Sequence, residues 1–281
     1  MPNTYPSATL QEIVEYRGVE GLVCAEVLSD DNADDGYTTG DVFAIAGVAE
    51  ISKTTDSTDE AHYYDNMPAV VISNTASDEI TISASAIPMD VLATITGQVY
   101  DETTGALIEG PRTPKYFAIG YITKKTNGDL MYCWRLKGRF NLPDQTNVTE
   151  DDGTDANGQE IVYTGISTTH KFSKTGKGAK ALVVDVAKGL ADVSTFFDDV
   201  TTPDTLAANT AYTLTITQAS NTTVSVTRNG VALQTGATIY QGDALTISVT
   251  GGTETVNGTA WISGDTHNVT GDVAVVSTAG A

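Results

Sequence analysis

Segments with strand-like patterns alternate with polar connections along most of the chain. Residues 21–28 (GLVCAEVL) and 41–50 (DVFAIAGVAE) are short and mostly apolar, which predicts two buried strands. Residues 79–85 (EITISAS) alternate apolar and polar side chains with a period of two, the pattern of a strand with one buried face. Further strands are predicted at residues 161–165 and 168–172. These patterns favour a mainly β fold.

A long polar segment separates the second and third of these strands. After Ile51 the sequence KTTDSTDEAHYYDNM contains too many Thr, Asp and Ser residues for a core strand. We therefore predict an extended hairpin or projecting loop, with Tyr63 and Tyr64 near its end. Such a projection could reach another subunit.

One short helix is predicted after the third strand. Pro88 suits the first turn of a helix, Asp90 suits its positive N-terminal end, and Gly97 is a suitable stop. Val91, Leu92 and Ile95 share one face, so the helix is expected to pack against a sheet.

The clearest hairpin signal lies near the middle of the chain. Residues 116–122 (YFAIGYI) and 130–136 (LMYCWRL) are apolar and aromatic, and TKKTNGD joins them. The Asn127-Gly128 pair in this connection is a strong signal for a β-hairpin.

The composition changes near residues 201–209 (TTPDTLAAN), which are rich in small polar residues and contain a proline. We predict two domains, residues 1–202 and 203–281. In the second, AYTLTITQ, TTVSVTRN, DALTISVT and DVAVVST read as short strands separated by turns. This spacing predicts a small all-β sandwich.

The charge balance bears on the class of partner. The formal net charge of −21 disfavours attraction to nucleic acid or anionic lipid, because phosphate binding depends on clustered Lys and Arg. Residues 12–102 contain 19 acidic residues but only Arg17 and Lys53 as basic ones. Most basic residues follow between Arg112 and Lys188. Either these charges cover solvated faces and loops, or acidic and basic regions meet between neighbouring subunits.

No motif predicts chemistry. The three histidines are far apart, and the acidic loops SDDNADDG and EDDGTDANGQE do not fit the EF-hand template. The chain contains no Gly-rich phosphate loop, dinucleotide fingerprint or Gly-x-Ser-x-Gly motif. We therefore expect no enzyme activity, cofactor or metal. Cys24 and Cys133 lie in apolar segments and are expected to be buried, reduced thiols.

The first 200 residues resemble the major tail protein family of long, non-contractile-tailed bacteriophages, the group often called phi13-type. EYRGVEGLVCAEV resembles the first strand of that family, and EITISASAIPMDVLATITGQ resembles its strand, short helix and glycine. PKYFAIGYITKKTNGDLMYCWRLKGRFNLPDQ resembles its aromatic hairpin, the most specific match, and STFFDDV resembles its ending. The resemblance covers most of residues 10–200.

The resemblance implies a structural virion protein. Its fold would be a tail-tube-type β-sandwich or barrel with one short flanking α-helix, followed by an immunoglobulin-like C-terminal domain displayed on the outer surface. Copies would form hexameric rings that stack around a tape-measure protein, meet tail-end proteins, and enclose a channel through which DNA passes without specific binding. The protein would be assembled in the cytoplasm of the host bacterium, without a membrane partner, and would reside in the virion tail.

Within that interpretation, function lies in extended loops and edges, especially residues 30–40 and 54–66. The expected subunit contacts are Asp34, Asp35, Tyr37, Asp59, Glu60, Tyr63 and Tyr64. The alternative is a surface adhesin or carbohydrate-binding module, which the C-terminal β-domain and the aromatic residues would favour.

Overall fold

The structure, a computed structural model, describes residues 13–33, 35–64, 67–144 and 158–280. The fold is mainly β, as predicted, with one α-helix in the described ranges. The chain forms two compact units. The first comprises Met1–Ala187 and Val193–Leu206, and the second Lys188–Asp192 and Ala207–Ala281.

The first unit consists mainly of β-strands, which differ in length. They are β1 (Tyr16–Asp30), β2 (Tyr37–Thr39), β3 (Phe43–Ala44), β4 (Val48–Tyr64), β5 (Met67–Ala84), β6 (Val99–Asp101), β7 (Ala106–Ile108), β8 (Phe117–Lys125), β9 (Leu130–Phe140), β10 (Gln159–Gly165) and β11 (Ala181–Asp185). The helix α1 spans Met89–Thr96, and a 3-10 turn, Val186–Lys188, follows β11.

Nine of these strands, as far as the structure describes them, form a single sheet. Its order is β2-β1-β8-β9-β10-β5-β4, while β3 pairs with β1 and β11 pairs with β9. All of these pairs are antiparallel. The sheet curls so that β4 lies beside β1, although the two do not form a ladder among the described residues.

The predicted alternation places the core on the inner face of this sheet. Ile161 and Tyr163 of β10 lie directly opposite Ile82 and Ile80 of β5, and all four side chains are fully buried. Phe117, Ile119 and Phe140 from the central hairpin join the same cluster. Cross-strand apolar pairs of this kind stabilise a sheet and fix its register.

A second apolar cluster lies against β9. Trp134 is fully buried, and its indole N–H donates to the carbonyl of Phe196 at 2.8 Å. The rings of Tyr132, Phe196 and Phe197 pack within 5.4 Å of one another.

The predicted helix and central hairpin are confirmed. Pro88 precedes α1 at the N-cap, Leu92 and Ile95 are buried against the sheet, and Gly97 ends the helix at a positive φ of 74°. The β8–β9 turn contains Asn127-Gly128, and Gly128 alone of this pair has a positive φ. The predicted extended hairpin after Ile51 is also confirmed, as β4 and β5.

Two strand predictions were wrong. Residues 41–50 are not one strand, because the chain changes partner: β3 pairs with β1, and from Val48 onward β4 pairs with β5. Residues 168–172 form no strand, because the backbone N–H groups of Thr169 and His170 donate to the carboxylate of Asp30 at 2.8 Å each.

The second unit has two sheets. Its strands are β12 (Ala211–Thr217), β13 (Thr223–Arg228), β14 (Val231–Leu233), β15 (Thr238–Tyr240), β16 (Ala244–Thr250), β17 (Gly252–Val256), β18 (Thr259–Trp261), β19 (Thr266–Asn268) and β20 (Val273–Ala279). One sheet has the order β15-β12-β20-β17-β18 and the other β14-β13-β16-β19. The β12–β20 pair is parallel.

Apolar residues from both sheets form the core of the second unit. Leu214, Ile247 and Val275 are fully buried in it. Two-residue turns at Asn229-Gly230 and Asn257-Gly258 join neighbouring strands, and all four residues have positive φ. Tight turns of this type match the twist of the strands they connect.

Two further findings concern the described residues. No helix among them is long and apolar enough to cross a membrane. Cys24 and Cys133 are both buried and free, as expected.

Candidate assembly surface

The distal part of the β4–β5 hairpin extends beyond the part of β5 that pairs with β10. The two strands pair from Val48 opposite Ala84 to Tyr64 opposite Met67, but β10 pairs with β5 only from Asp78 onward. Residues 57–64 and 67–75, which we call the outer ribbon, are therefore paired only with each other among the described residues. A two-stranded ribbon is marginal in water, and both of its outer edges carry unpaired backbone groups.

The base of the outer ribbon is held by a buried carboxylate. Asp78, with a side chain only 5% exposed, lies 3.2 Å from Nζ of Lys180, 3.4 Å from Nη1 of Arg135 and 3.9 Å from Nζ of Lys53. Burial alone would raise the pKa of Asp78. Hydrogen bonds from Lys180 and Thr55, with the nearby charges, outweigh burial and lower it.

This Asp78 network joins three regions of the first unit. Lys53 lies on β4, Arg135 on β9, and Lys180 immediately before β11. A register shift lies in β4 between Thr55 and Ser57, next to the point where β10 support begins. The network therefore fixes the position at which the ribbon leaves the sheet.

Arg135 extends the network to the inner face of the sheet. Its Nε and Nη2 lie 3.4 and 3.3 Å from the hydroxyl of Tyr121. Burial raises the pKa of Tyr121 to about 12 and also raises the pKa of the Cys133 thiol. Both groups are therefore protonated at neutral pH, and the thiol is not an activated nucleophile.

A groove of about 570 Å³ opens next to this network. Its walls come from β1, β4, β8, β9 and β11, and they combine apolar side chains with the two cations Lys53 and Arg135. Glu50 is the acidic lining residue, and Val183 of β11 is 48% exposed at the margin.

A second buried carboxylate, that of Asp30, holds residues 169 and 170 against the end of β1. Asp30 accepts hydrogen bonds from Nζ of Lys137 and from the N–H groups of Thr169 and His170. Burial would raise the pKa of Asp30, but these hydrogen bonds lower it overall. Asp30 thus ties residues 165–172 to the end of β1.

The predicted contact residues fall at two separate places. Asp34 lies outside the described residues, Asp35 is exposed with a φ of 57°, and Tyr37 is half-buried. The Tyr37 hydroxyl donates to the carbonyl of Leu136, and its ring meets Phe172 edge-on at 5.9 Å. Burial and the charge of Asp30 raise the pKa of Tyr37.

The other four predicted contacts lie in β4. The backbones of Asp59, Glu60, Tyr63 and Tyr64 belong to the outer ribbon, opposite Ser73, Ile72, Pro68 and Met67 respectively, and their side chains lie outside the described part. Because β2 and β4 occupy opposite ends of the strand order, the structure does not join the two groups in one ladder. Their role in subunit contacts stays a prediction.

Sequence reasoning missed the Asp78 network and the groove. The available signal was Arg135, the one charged residue inside the apolar segment LMYCWRL. A charge in such a strand needs a buried partner. The partner is 57 residues away in sequence, so local patterns do not reveal it.

Within the described ranges, no three His, Cys, Asp or Glu side chains are grouped so that they could hold a metal ion. In comparisons with known proteins, no protein-family model and no curated protein matched this sequence.

Proposed function

We propose that this protein is a structural subunit that assembles with copies of itself into stacked rings, forming the tail tube of a long-tailed bacteriophage. In this proposal the rings are hexameric, surround a tape-measure protein, meet tail-end proteins, and pass DNA during genome ejection. Assembly takes place in the cytoplasm of the host. The protein performs no catalysis, and its C-terminal unit is an immunoglobulin-like appendage on the outside of the tube.

The outer ribbon carries this proposal. It extends beyond the part of the sheet that β10 supports, and neither strand has a third neighbour among the described residues. Its base is nevertheless held by the buried Asp78 network. A ribbon that is fixed at its base but unpaired along its edges is suited to pairing with another chain.

The charge of the protein also agrees with a DNA channel. With a formal net charge of −21, the protein as a whole repels DNA. An acidic channel wall would let DNA slide without binding it. No particular residue is assigned to that wall.

Negative-stain electron microscopy of the purified full-length chain tests the proposal. We expect rings or tubes that grow in number with protein concentration. A protein that remains monomeric at all concentrations and salt conditions would contradict it.

A deletion variant isolates the role of the outer ribbon. Replacing residues 57–75 with a short Gly-Ser turn removes the unpaired edges but leaves the segment of β5 that pairs with β10. We expect a folded chain that no longer forms rings. A matched change in the second unit, which lengthens the Gly236 turn by two glycines, should leave assembly intact.

The adhesin or carbohydrate-binding alternative gains no specific support from the aromatic residues. Sugar-binding sites commonly present an exposed aromatic face, whereas Trp134 is fully buried. Trp261 packs against the core of the second unit, and its indole nitrogen is buried.

A further inference from the structure

The groove beside the Asp78 network has an excess of positive charge. Lys53 and Arg135 are the basic residues of the groove lining, and Glu50 is its acidic residue. The charges of these lining residues sum to +1 in a chain whose net charge is −21. The groove is therefore a local cationic surface on an acidic protein.

The margin of the groove is an unpaired strand edge. The N–H of Leu136 on β9 donates to the carbonyl of Lys180 at 2.9 Å. This bond shows which residues that precede and form β11 direct their backbone groups toward β9. Because hydrogen-bonded positions alternate in antiparallel pairs, the backbone groups of Ala181, Val183 and Asp185 point away from β9. No described strand pairs with that side of β11.

The outer ribbon has complementary properties. It contains Asp59 and Glu60, and the sequence has no Lys or Arg between Lys53 and Arg112. Its strand edges are unpaired among the described residues, like the free edge of β11.

We propose that the groove and the free edge of β11 receive the outer ribbon of a second copy of this chain. The ribbon would add to β11 by backbone hydrogen bonds, which brings its acidic segment next to the groove that Lys53 and Arg135 line. Extended segments commonly bind to a free sheet edge in this way, while opposite charges fix the register. This inference rests on the proposed function, since it names the partner surface used in self-assembly.

Charge reversal with rescue tests the pairing. In sedimentation velocity of the full chain, the double variant Asp59→Lys/Glu60→Lys should weaken assembly about tenfold or more, because it places like charges together. Lys53→Glu should weaken it similarly. Combining all three substitutions should bring assembly back toward the wild-type level, although the Lys53–Asp78 ion pair stays lost.

Asp198→Lys/Asp199→Lys is the matched control. It makes the same change in net charge at two exposed neighbouring residues away from the groove lining. Assembly of this variant should differ little from wild type. Circular dichroism and urea unfolding of every variant establish that each is folded.

A backbone variant tests the strand edge without changing charge. Val183→Pro removes an N–H that points away from β9, so the β9–β11 ladder keeps its hydrogen bonds. We expect Val183→Pro to reduce assembly, whereas Val183→Thr, which keeps the N–H, should assemble like wild type. Equal assembly by both variants overturns the role of the edge.

The outcomes separate this inference from the proposed function. If wild type assembles, but the ribbon variant matches the Asp198/Asp199 control or the triple variant fails to recover, the proposed pairing is wrong and self-assembly stands. If native mass spectrometry shows a small anion retained in a groove that the assembled protein leaves free, the groove is a ligand site and the pairing is also wrong. A wild-type chain that never assembles overturns both.

Discussion

In the first unit, the buried carboxylate of Asp78 lies beside three cations, whereas the buried carboxylate of Glu254 in the second unit has an oxygen, Oε1, without a described hydrogen-bond partner. Both side chains belong to residues that are at most 5% exposed. Glu254 lies opposite Trp261 in the β17–β18 ladder, and the indole nitrogen of Trp261 is also buried without a partner. The edge of His267 lies against the Trp261 ring, with centroids 5.4 Å apart.

The difference shows that burial of an acidic side chain can stabilise or destabilise a fold, depending on whether cations surround the carboxylate. The carboxylate of Asp78 attracts cations from β4, β9 and the segment before β11, and this attraction offsets the free-energy cost of burying it. The same contacts hold the ribbon base. Glu254 lies opposite the buried Ser277 in the β17–β20 ladder, and its Oε1 makes no comparable connection among the described residues. We therefore expect substitutions of the two acids to change stability in opposite directions.

The largest effect is expected at Asp78. Asp78→Asn leaves three cations around a neutral amide, and removing one partner from a buried ionic group costs about 3–5 kcal/mol of unfolding free energy. Urea unfolding followed by Trp134 fluorescence in a Trp261→Phe background measures the first unit. Asp41→Asn, at an exposed carboxylate, is the control and should unfold at the wild-type midpoint. A wild-type midpoint for Asp78→Asn would show that the network does not hold the ribbon base.

A smaller effect of opposite sign is expected at Glu254. Glu254→Met removes a buried charged group with an unpaired oxygen and keeps a side chain of similar length, so the second unit should gain about 1–3 kcal/mol. Hydrogen exchange of peptides from residues 211–279 measures this unit. Exposed Glu160 in the first unit supplies the control change Glu160→Met. A loss of protection in the second unit would mean that Glu254 has a stabilising partner, such as a buried water.

The third effect concerns the hydrogen bond of Tyr37, the first residue of β2. Tyr37→Phe removes the hydroxyl that donates to the Leu136 carbonyl, which should cost about 1 kcal/mol of first-unit stability. Tyr212→Phe in the second unit is the matched change, because no hydrogen bond of that hydroxyl occurs among the described residues. Equal midpoints for both variants in urea unfolding would indicate that the Tyr37 hydrogen bond is replaced by water.

The smallest expected effect is a difference in the pH at which the two units lose stability. Burial lowers the pKa of His267, so the unfolded chain binds the proton more readily and the second unit should lose stability as pH falls below about 6.5. The loss should stay below about 1 kcal/mol, because the imidazole is partly exposed.

In the first unit, the lowered pKa values of Asp30 and Asp78 act in a more acidic window. Their contribution is present above about pH 4, the ordinary carboxyl value, and is lost as pH falls through the lowered values. Hydrogen exchange of each unit at pH 7.5, 5.5 and 3.0 checks the order. His267→Gln should remove the step of the second unit, whereas a step that survives in this variant would contradict the assignment.

Much of the local structure could be predicted from the sequence. The period-two segment before Ala84 became the inner part of β5, the residues around α1 stopped the helix at Gly97, and Asn127-Gly128 formed a hairpin. The same Asn-Gly pair gave a different turn at Asn229-Gly230, where both residues have positive φ. The pair therefore predicts a hairpin but not its loop length, which the flanking strands decide.

The tertiary structure decided which segments pair as strands and which charged groups meet. Residues 168–172 carry a strand-like pattern, but the carboxylate of Asp30, well over 100 residues away, takes the hydrogen bonds that a neighbouring strand would need. The Asp78 network likewise gathers cations from three distant segments. Periodicity and turn residues act over a few positions, so the sequence by itself determined the mainly β class, the helix and the long hairpin. Ladder partners and buried charges depend on groups brought together only by folding, which is why the ribbon base and the groove emerged from the structure alone.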